Sequence, residues 1–107
     1  ILVDKEPAGM IDLHEFSHEN QRAQIGYWLA NQYQGMGVMT LCLAHVEQIA
    51  FTELGLNRLE LIADVKNNKS RAVATRRGFH EDGILKEYLL YNGQFHDVAM
   101  YSKLKSE

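Results

Sequence analysis

The sequence has a single cysteine, a single proline, no surplus of positive charge and no apolar run near the length that crosses a bilayer. Each shortage removes a class of protein. One cysteine cannot close an internal disulfide, which excludes a small stapled scaffold. Cys42 lies inside an apolar helical run, where a thiol acts as a small hydrophobe rather than a nucleophile. A membrane-spanning helix needs about 20 consecutive apolar residues, and the chain has neither that nor a basic-then-apolar leader. A cytoplasmic protein without a membrane partner is the expectation. The formal net charge of −3 argues against direct nucleic-acid binding, although Lys and Arg cluster between Lys66 and Arg77. There is no internal repeat, low-complexity stretch or linker. What remains is 107 residues, 46% hydrophobic, enough for one domain with a single core. The chain begins Ile1-Leu2-Val3-Asp4 without methionine, as though part-way along a strand, and is expected to be a fragment of a longer protein.

Ile1–Val3 reads as the end of a strand and Lys5-Glu6-Pro7 as a turn, since proline lacks a ladder donor. Strands follow over about Ala8–Phe16 and Ala23–Ala30, the second alternating Ile25, Tyr27 and Leu29 against Gln24, Gly26 and Trp28. Short connections make these three an antiparallel meander. Met39, Leu43, Val46, Ala50 and Leu54 then recur at helical steps along one face, and Gly55 stops the helix. Arg58–Val65 alternates Leu59, Leu61, Ala63 and Val65. It is a strand reached through a helix and so parallel to the one before it. Asn67-Asn68-Lys69-Ser70 opens a second helix that runs through Arg77 and closes at Gly78. Ile84–Tyr91 and Gln94–Leu104 flank Asn92-Gly93, a strong signal for a type I′ hairpin. The order is β-β-β-α-β-α-β-β, a mixed, mainly antiparallel α/β (α+β) domain over residues 1–107.

Between the third strand and the first helix lies Gln32-Tyr33-Gln34-Gly35-Met36-Gly37-Val38-Met39-Thr40. Gly35 and Gly37 permit backbone conformations closed to residues with a Cβ, so successive N–H groups can converge on one anion. The helix that follows adds unpaired N–H groups and a partial positive charge at the same point. No lysine or arginine lies in the loop. A diphosphate held by backbone, bound but not cleaved, suits that arrangement, while a generic turn before a helix also uses glycine.

The set of motifs resembles the GNAT superfamily of acetyl-CoA-dependent acetyltransferases, and within it the ribosomal-protein N-acetyltransferase (Rim-type) branch. The residues that carry the resemblance are Ile25-Gly26-Tyr27-Trp28-Leu29, Tyr33 to Thr40, Asn67-x-x-Ser70-Arg71, Gly78-Phe79, and Gly93-x-x-His96-Asp97-Val98-x-x-Tyr101-Ser102. It implies a family fold with a further strand and two helices ahead of Ile1. It also implies a splayed central parallel pair that frees backbone groups for the thioester oxygen. By the same resemblance Gln34, Gly35, Met36, Gly37, Val38, Met39 and Thr40 bind the coenzyme A pyrophosphate, and the pantetheine arm runs along Trp28, Leu29 and Ala30. Asn67 and Ser70 lie beside the sulfur and are the catalytic candidates. Lys69, Arg71, Arg76 and Arg77 are either phosphate contacts or ordinary surface charges, with Arg71 placed among the cofactor-binding residues.

The reaction implied is direct attack of an amine on acetyl-CoA, without an acetyl-enzyme, so Cys42 is not needed. A protein α-amine has a pKa of about 8 against about 10.4 for lysine, and needs less help to lose its proton. Acceptors of the branch include ribosomal-protein N-termini, and a small amine is the other candidate. Relatives often dimerise, and an uncovered sheet edge favours a homodimer. Two departures stand out. Ala30-Asn31 occupies the place where the branch commonly has a glutamate, leaving Glu60 and Asp64 as substitute bases or as a solvated face. Ala74 occupies the place of the usual tyrosine acid, with Ser70 as the Rim-type replacement or merely the cap of the helix. A module that binds coenzyme A without turnover is the first rival reading.

His14-Glu15-Phe16-Ser17-His18 matches the zinc-protease pattern His-Glu-x-x-His and supplies a second rival, a zinc hydrolase. That chemistry needs both histidines on one helical face. In a strand they lie roughly 13 Å apart, too far to share a metal. Pro7, Gly9 and the alternation from Met10 to Phe16 favour the strand, and no metal is expected. His45 and His80 read as structural or exposed, and His96-Asp97 as a polar pair on the last strand.

Overall fold

A computed structural model describes residues 2–3, 6–7, 9–29 and 37–107. Leu2–Val3 (β1) pairs antiparallel with Glu6–Pro7 (β2), a stub too short to need the donor that Pro7 lacks. The first expected strand therefore stays out of the meander, and Glu6–Pro7 is strand rather than turn. Gly9–Ser17 (β3) and Arg22–Leu29 (β4) form the antiparallel hairpin that the alternation predicts. Its register sets Asp12 opposite Gly26 and His14 opposite Gln24, and a bulge between His14 and Ser17 carries Glu15 at φ 54°.

Val38–Gln48 (α1) begins at Gly37 and passes into a π-helical turn over Ile49–Glu53. The wider i to i−5 turn, seen in the Leu54 N–H to Ile49 C=O bond of 3.1 Å, breaks the helical register of the apolar stripe. Leu54, expected in the stripe, is half exposed, and Leu56 is buried instead. Gly55 takes φ +66° and ends the segment as expected. Arg58–Asp64 (β5) returns parallel to β4, and Asn68–Arg76 (α2) follows. His80–Tyr91 (β6) and Gln94–Leu104 (β7) close the chain through Asn92 and Gly93, both at positive φ as a type I′ turn requires. β6 starts four residues before the expected Ile84, because bulges at Glu81/Gly83 and Leu85/Leu89 break the alternation that would have revealed it.

The five-stranded sheet has the order β3-β4-β5-β7-β6, antiparallel except for β4–β5. Ala23, Ile25, Leu59, Leu61, Ala63, Ala99 and Tyr101 point from one face into a core completed by Leu43, Ala50, Leu56, Ala74 and Phe79. Strand alternation turns Asp12, His14, Gln24, Gly26, Glu60, Ile62 and Asp64 to the other face. The helices are locked to the sheet by a buried charge cluster. Glu47 on α1, only 5% exposed, accepts from Arg77 Nε at 2.8 Å and from Lys103 Nζ at 2.6 Å, and Lys103 also donates to the Arg77 carbonyl at 2.7 Å. A carboxylate so deeply buried is tolerable only because two cations meet it.

Candidate active site

The parallel ladder between β4 and β5 runs from Arg22/Arg58 to Ile25/Leu61 and goes no further, although β4 continues to Leu29 and β5 to Asp64. Beyond Ile25 and Leu61 the strands part. Backbone groups that face each other there have no ladder partner, an opening that is costly unless something polar enters it. A cleft of about 220 Å³ lies at the parting, lined by His14, Gln24, Ile25, Gly26, Ile62 and Ser70. Its lining comes from both faces of the sheet, so the opening passes between the strands.

The helices that follow the two strands in the chain start in different ways. At α1, Gly37 is the cap residue at φ +75°, no side chain caps the helix and its first turn holds no acidic residue. Thr40 Oγ1, in that first turn, is buried without a hydrogen-bond partner among the described residues. At α2, Asn67 Oδ1 accepts from the Ser70 N–H at 3.1 Å, a side-chain cap. The side chain that caps this helix is thus Asn67, and Ser70 lines the cleft.

Of the residues expected at the site, Ala30, Gln34, Gly35 and Met36 lie outside the described residues. Trp28 and Leu29 continue β4 past the parting, Val38, Met39 and Thr40 form the first turn of α1, and Ser70 is in the cleft. Met39 is buried. Arg71 is turned elsewhere. Its guanidinium donates to the Tyr101 hydroxyl at 3.0 Å, to the Val65 carbonyl at 3.1 Å and to Glu81, which ties α2 to the end of β5, to β6 and to β7. Arg77 is likewise committed to Glu47.

Both substitute bases are engaged. Glu60 accepts from Arg58 Nε at 2.9 Å. Asp64 accepts from the Tyr91 hydroxyl at 2.6 Å, the Lys66 N–H at 2.9 Å and His96 Nδ1 at 2.8 Å, and the Tyr91 ring stacks on His96 at 3.8 Å. The Tyr91 hydrogen bond foremost, then the Lys66 amide, hold the Asp64 carboxyl below its ordinary range, which makes it a weaker base. Asp97 accepts from the Glu87 N–H at 2.8 Å.

The cleft residue that sequence reasoning did not place at the site is His14. It sits in β3 with His18 in the following turn, so the two do not share a helical face. Among the described residues no group of three or more His, Cys, Asp or Glu side chains could hold a metal ion. The His14 ring spans the hairpin, with Nδ1 3.0 Å from Asp12 Oδ1 and Nε2 3.0 Å from Gln24 Oε1. It lies so close over Gly26 that a Cβ there would meet His14 Cε1 at 2.8 Å and Asp12 Oδ1 at 3.1 Å. A glycine inside a strand marks close approach by another group, and Gly26 was the available signal. No helix among the described residues is long and apolar enough to cross a membrane.

This arrangement has counterparts. The chain is 44% identical over its whole length to a Bacillus subtilis protein named "Putative ribosomal N-acetyltransferase YdaF", of which it spans 58%. It is 33% identical over 89% of its length to the spermidine N(1)-acetyltransferase of Escherichia coli K12, of which it spans 51%. The chain therefore spans just over half the length of these relatives. Among solved structures, the microcin C7 self-immunity acetyltransferase MccE, in complex with acetyl-CoA and AMP, superposes with a TM-score of 0.83 at 35% identity, covering 91% of this chain and 54% of that one. A family model for the acetyltransferase (GNAT) domain matches residues 1–80, a stretch that includes the parted strands, the uncapped start of α1 and the cleft at Ser70. The chain belongs to the GNAT acetyltransferase family.

Proposed function

We propose that the protein carrying this domain transfers the acetyl group of acetyl-CoA directly to an amine, with the α-amine of a protein N-terminus as acceptor. The observation that carries the reading is the parting of β4 from β5 beyond Ile25 and Leu61, with the cleft at Ser70 beneath it. The pantetheine arm has amides of its own, so an arm laid along Trp28, Leu29 and Ala30 restores the hydrogen bonds that the sheet leaves open. The residues at the start of α1 fit the diphosphate. Gly37 turns the backbone at positive φ, the first N–H groups have no side-chain cap, and the orphaned Thr40 Oγ1 gains a partner when an oxyanion arrives. Gln34, Gly35 and Met36 complete that cradle in this reading, with Val38 and Met39.

Bound acetyl-CoA supplies an acetyl group activated as a thioester. The chain's own part is to orient it, to offer backbone donors in the gap to the carbonyl oxygen, and to manage protons. The amine nitrogen bonds the acetyl carbon, the carbon–sulfur bond breaks, and the departing thiolate takes up a proton that the nitrogen gives up. Asn67 fixes the first turn of α2 so that Ser70 faces the sulfur end, where its hydroxyl donates to sulfur or relays that proton. The test is acetylation by this chain of a peptide with a free N-terminal alanine and of spermidine, read by mass spectrometry. Faster turnover of the peptide supports the N-terminal reading. Faster turnover of spermidine moves the acceptor to small amines, the reading favoured by the spermidine acetyltransferase among the relatives. Coenzyme A binding with neither product supports a module without turnover.

A further inference from the structure

The family membership leaves one role unfilled. Glu60 is tied to Arg58, Asp64 is held as a stabilised anion, and Asn31 stands where a glutamate was expected. A proton acceptor has to be open to the cleft, shared with the proposed sulfur-side residue, and held in one orientation by a neighbour. His14 meets all three conditions. It lines the same cleft as Ser70, its side chain is 42% exposed so that a captured proton can leave to solvent, and it is gripped on both sides.

We propose that His14 takes the proton from the acceptor's ammonium group, with Asp12 and Gln24 as its positioning residues. This rests on the acetyl-transfer reading above and supplies the base that the reading lacks. The Asp12 carboxylate accepts from Nδ1–H, which leaves the Nε2 lone pair of the neutral ring facing Gln24. A carboxamide presents a donor and an acceptor at opposite ends, so Gln24 can meet that lone pair with its N–H group. Proton transfer from R–NH3+ to Nε2 gives R–NH2 and the imidazolium, whose second N–H is then met by Gln24 Oε1. Oxygen acceptors at 3.0 Å from both ring nitrogens suit that charged state. The ammonium reaches Nε2 by displacing the Gln24 N–H, and rotation of the Gln24 amide then gives the new ring N–H its acceptor.

Gly26 makes the placement specific, because any larger residue there would push the ring off its seat. Among the described residues, the charged groups on the sheet face that carries the ring include Asp12 on its own strand, Arg22 two residues before Gln24 on β4, and Glu60 and Asp64 on β5. Glu60 is in register with Gln24 and already paired with Arg58. Ser70 lines the same cleft.

The experiment combines rates with two readouts that need no turnover. His14→Gln is expected to lower kcat/KM for the alanine peptide and for spermidine by about 100-fold at neutral pH. The deficit should shrink as pH rises and the amine loses its own proton, while the acetyl-CoA thermal shift stays as in the wild type. Gly26→Ala, which displaces the ring through a contact with its outer edge, should lower the rate in the same way without loss of folding. Nitrogen-15 NMR of the neutral His14 ring should find the proton on Nδ1 in the wild type and redistributed in Asp12→Asn. An unchanged rate in His14→Gln overturns the proposal, and so does a neutral ring protonated at Nε2. If the wild type acetylates neither amine, the ring tautomer decides. A missing acetyl-CoA shift in the wild type counts against the acetyl-transfer reading itself, whereas a normal shift with a normal His14→Gln rate counts against His14 alone.

Discussion

The two helices begin in opposite ways. At α2 the cap is internal: Asn67 Oδ1 takes the Ser70 N–H, and the helix start is satisfied without a ligand. At α1 the cap is a glycine at φ +75°, and a buried threonine hydroxyl in the first turn has no partner among the described residues. A folded chain closes its helix ends where it can, since each open donor or buried orphan costs free energy. In the reading proposed above, the contrast separates a helix start closed for stability from one left open for an anion. The charge cluster at Glu47 joins the far end of α1 to Arg77 beyond the end of α2 and to Lys103 on β7, so the two helices are held in relation to each other and to the sheet.

The largest effect is expected from dissolving that relation. Glu47→Gln leaves Lys103 and Arg77 without their carboxylate, and breaking a buried ion pair from one side costs about 3 kcal/mol. Chemical denaturation should read this as a lower midpoint at unchanged slope. Next, Gly37→Glu strains the cap by about 1–2 kcal/mol and sets a negative side chain where the diphosphate is proposed to sit. Loss of the acetyl-CoA thermal shift should accompany a modest loss of stability. Asn67→Ala should cost about 1 kcal/mol by removing the internal cap, while Gly37 and Thr40 keep their hold on the ligand. Thr40→Val sharpens the comparison from the other side. It removes an unpartnered hydroxyl, so stability should hold or rise slightly while acetyl-CoA binds several-fold more weakly, as calorimetric titration would read.

The pH dependence isolates the β5 end. The Asp64 carboxyl is depressed in the folded state, chiefly by the Tyr91 hydrogen bond. It contributes stability above its unfolded value of about 3.9 and loses that contribution as pH falls through the lower folded value. Acid titration of the melting point should therefore drop less steeply in Tyr91→Phe than in the wild type.

Much of the fold was legible. Alternation and short connections located the β3–β4 hairpin, the crossover rule made β4 and β5 parallel, and Asn92-Gly93 set the last turn. What escaped depended on contacts between distant residues. The π turn at Ile49–Glu53 breaks the helical period that the stripe follows, so Leu54 fell outside the core that the pattern put it in. The start of β6 was hidden by bulges. For the site, the glycines and the helix after them drew attention to Gly37 and Thr40, but Ser70 entered only through family resemblance. Arg71 looked like a phosphate contact until β6 and β7 supplied Glu81 and Tyr101. His14 was legible as a motif and as a strand residue, but not as a member of the cleft, because its partners Gln24 and Gly26 become neighbours only when β3 pairs with β4.

The most direct test is a thermal melt of this chain with and without acetyl-CoA, in the wild type and in Gly37→Glu, since a ligand of the native state raises the melting point. A rise in the wild type that Gly37→Glu abolishes is the result expected if α1 is left open for coenzyme A. An equal rise in both proteins would contradict that account by placing the ligand elsewhere, and no rise in either would remove the ligand from it altogether.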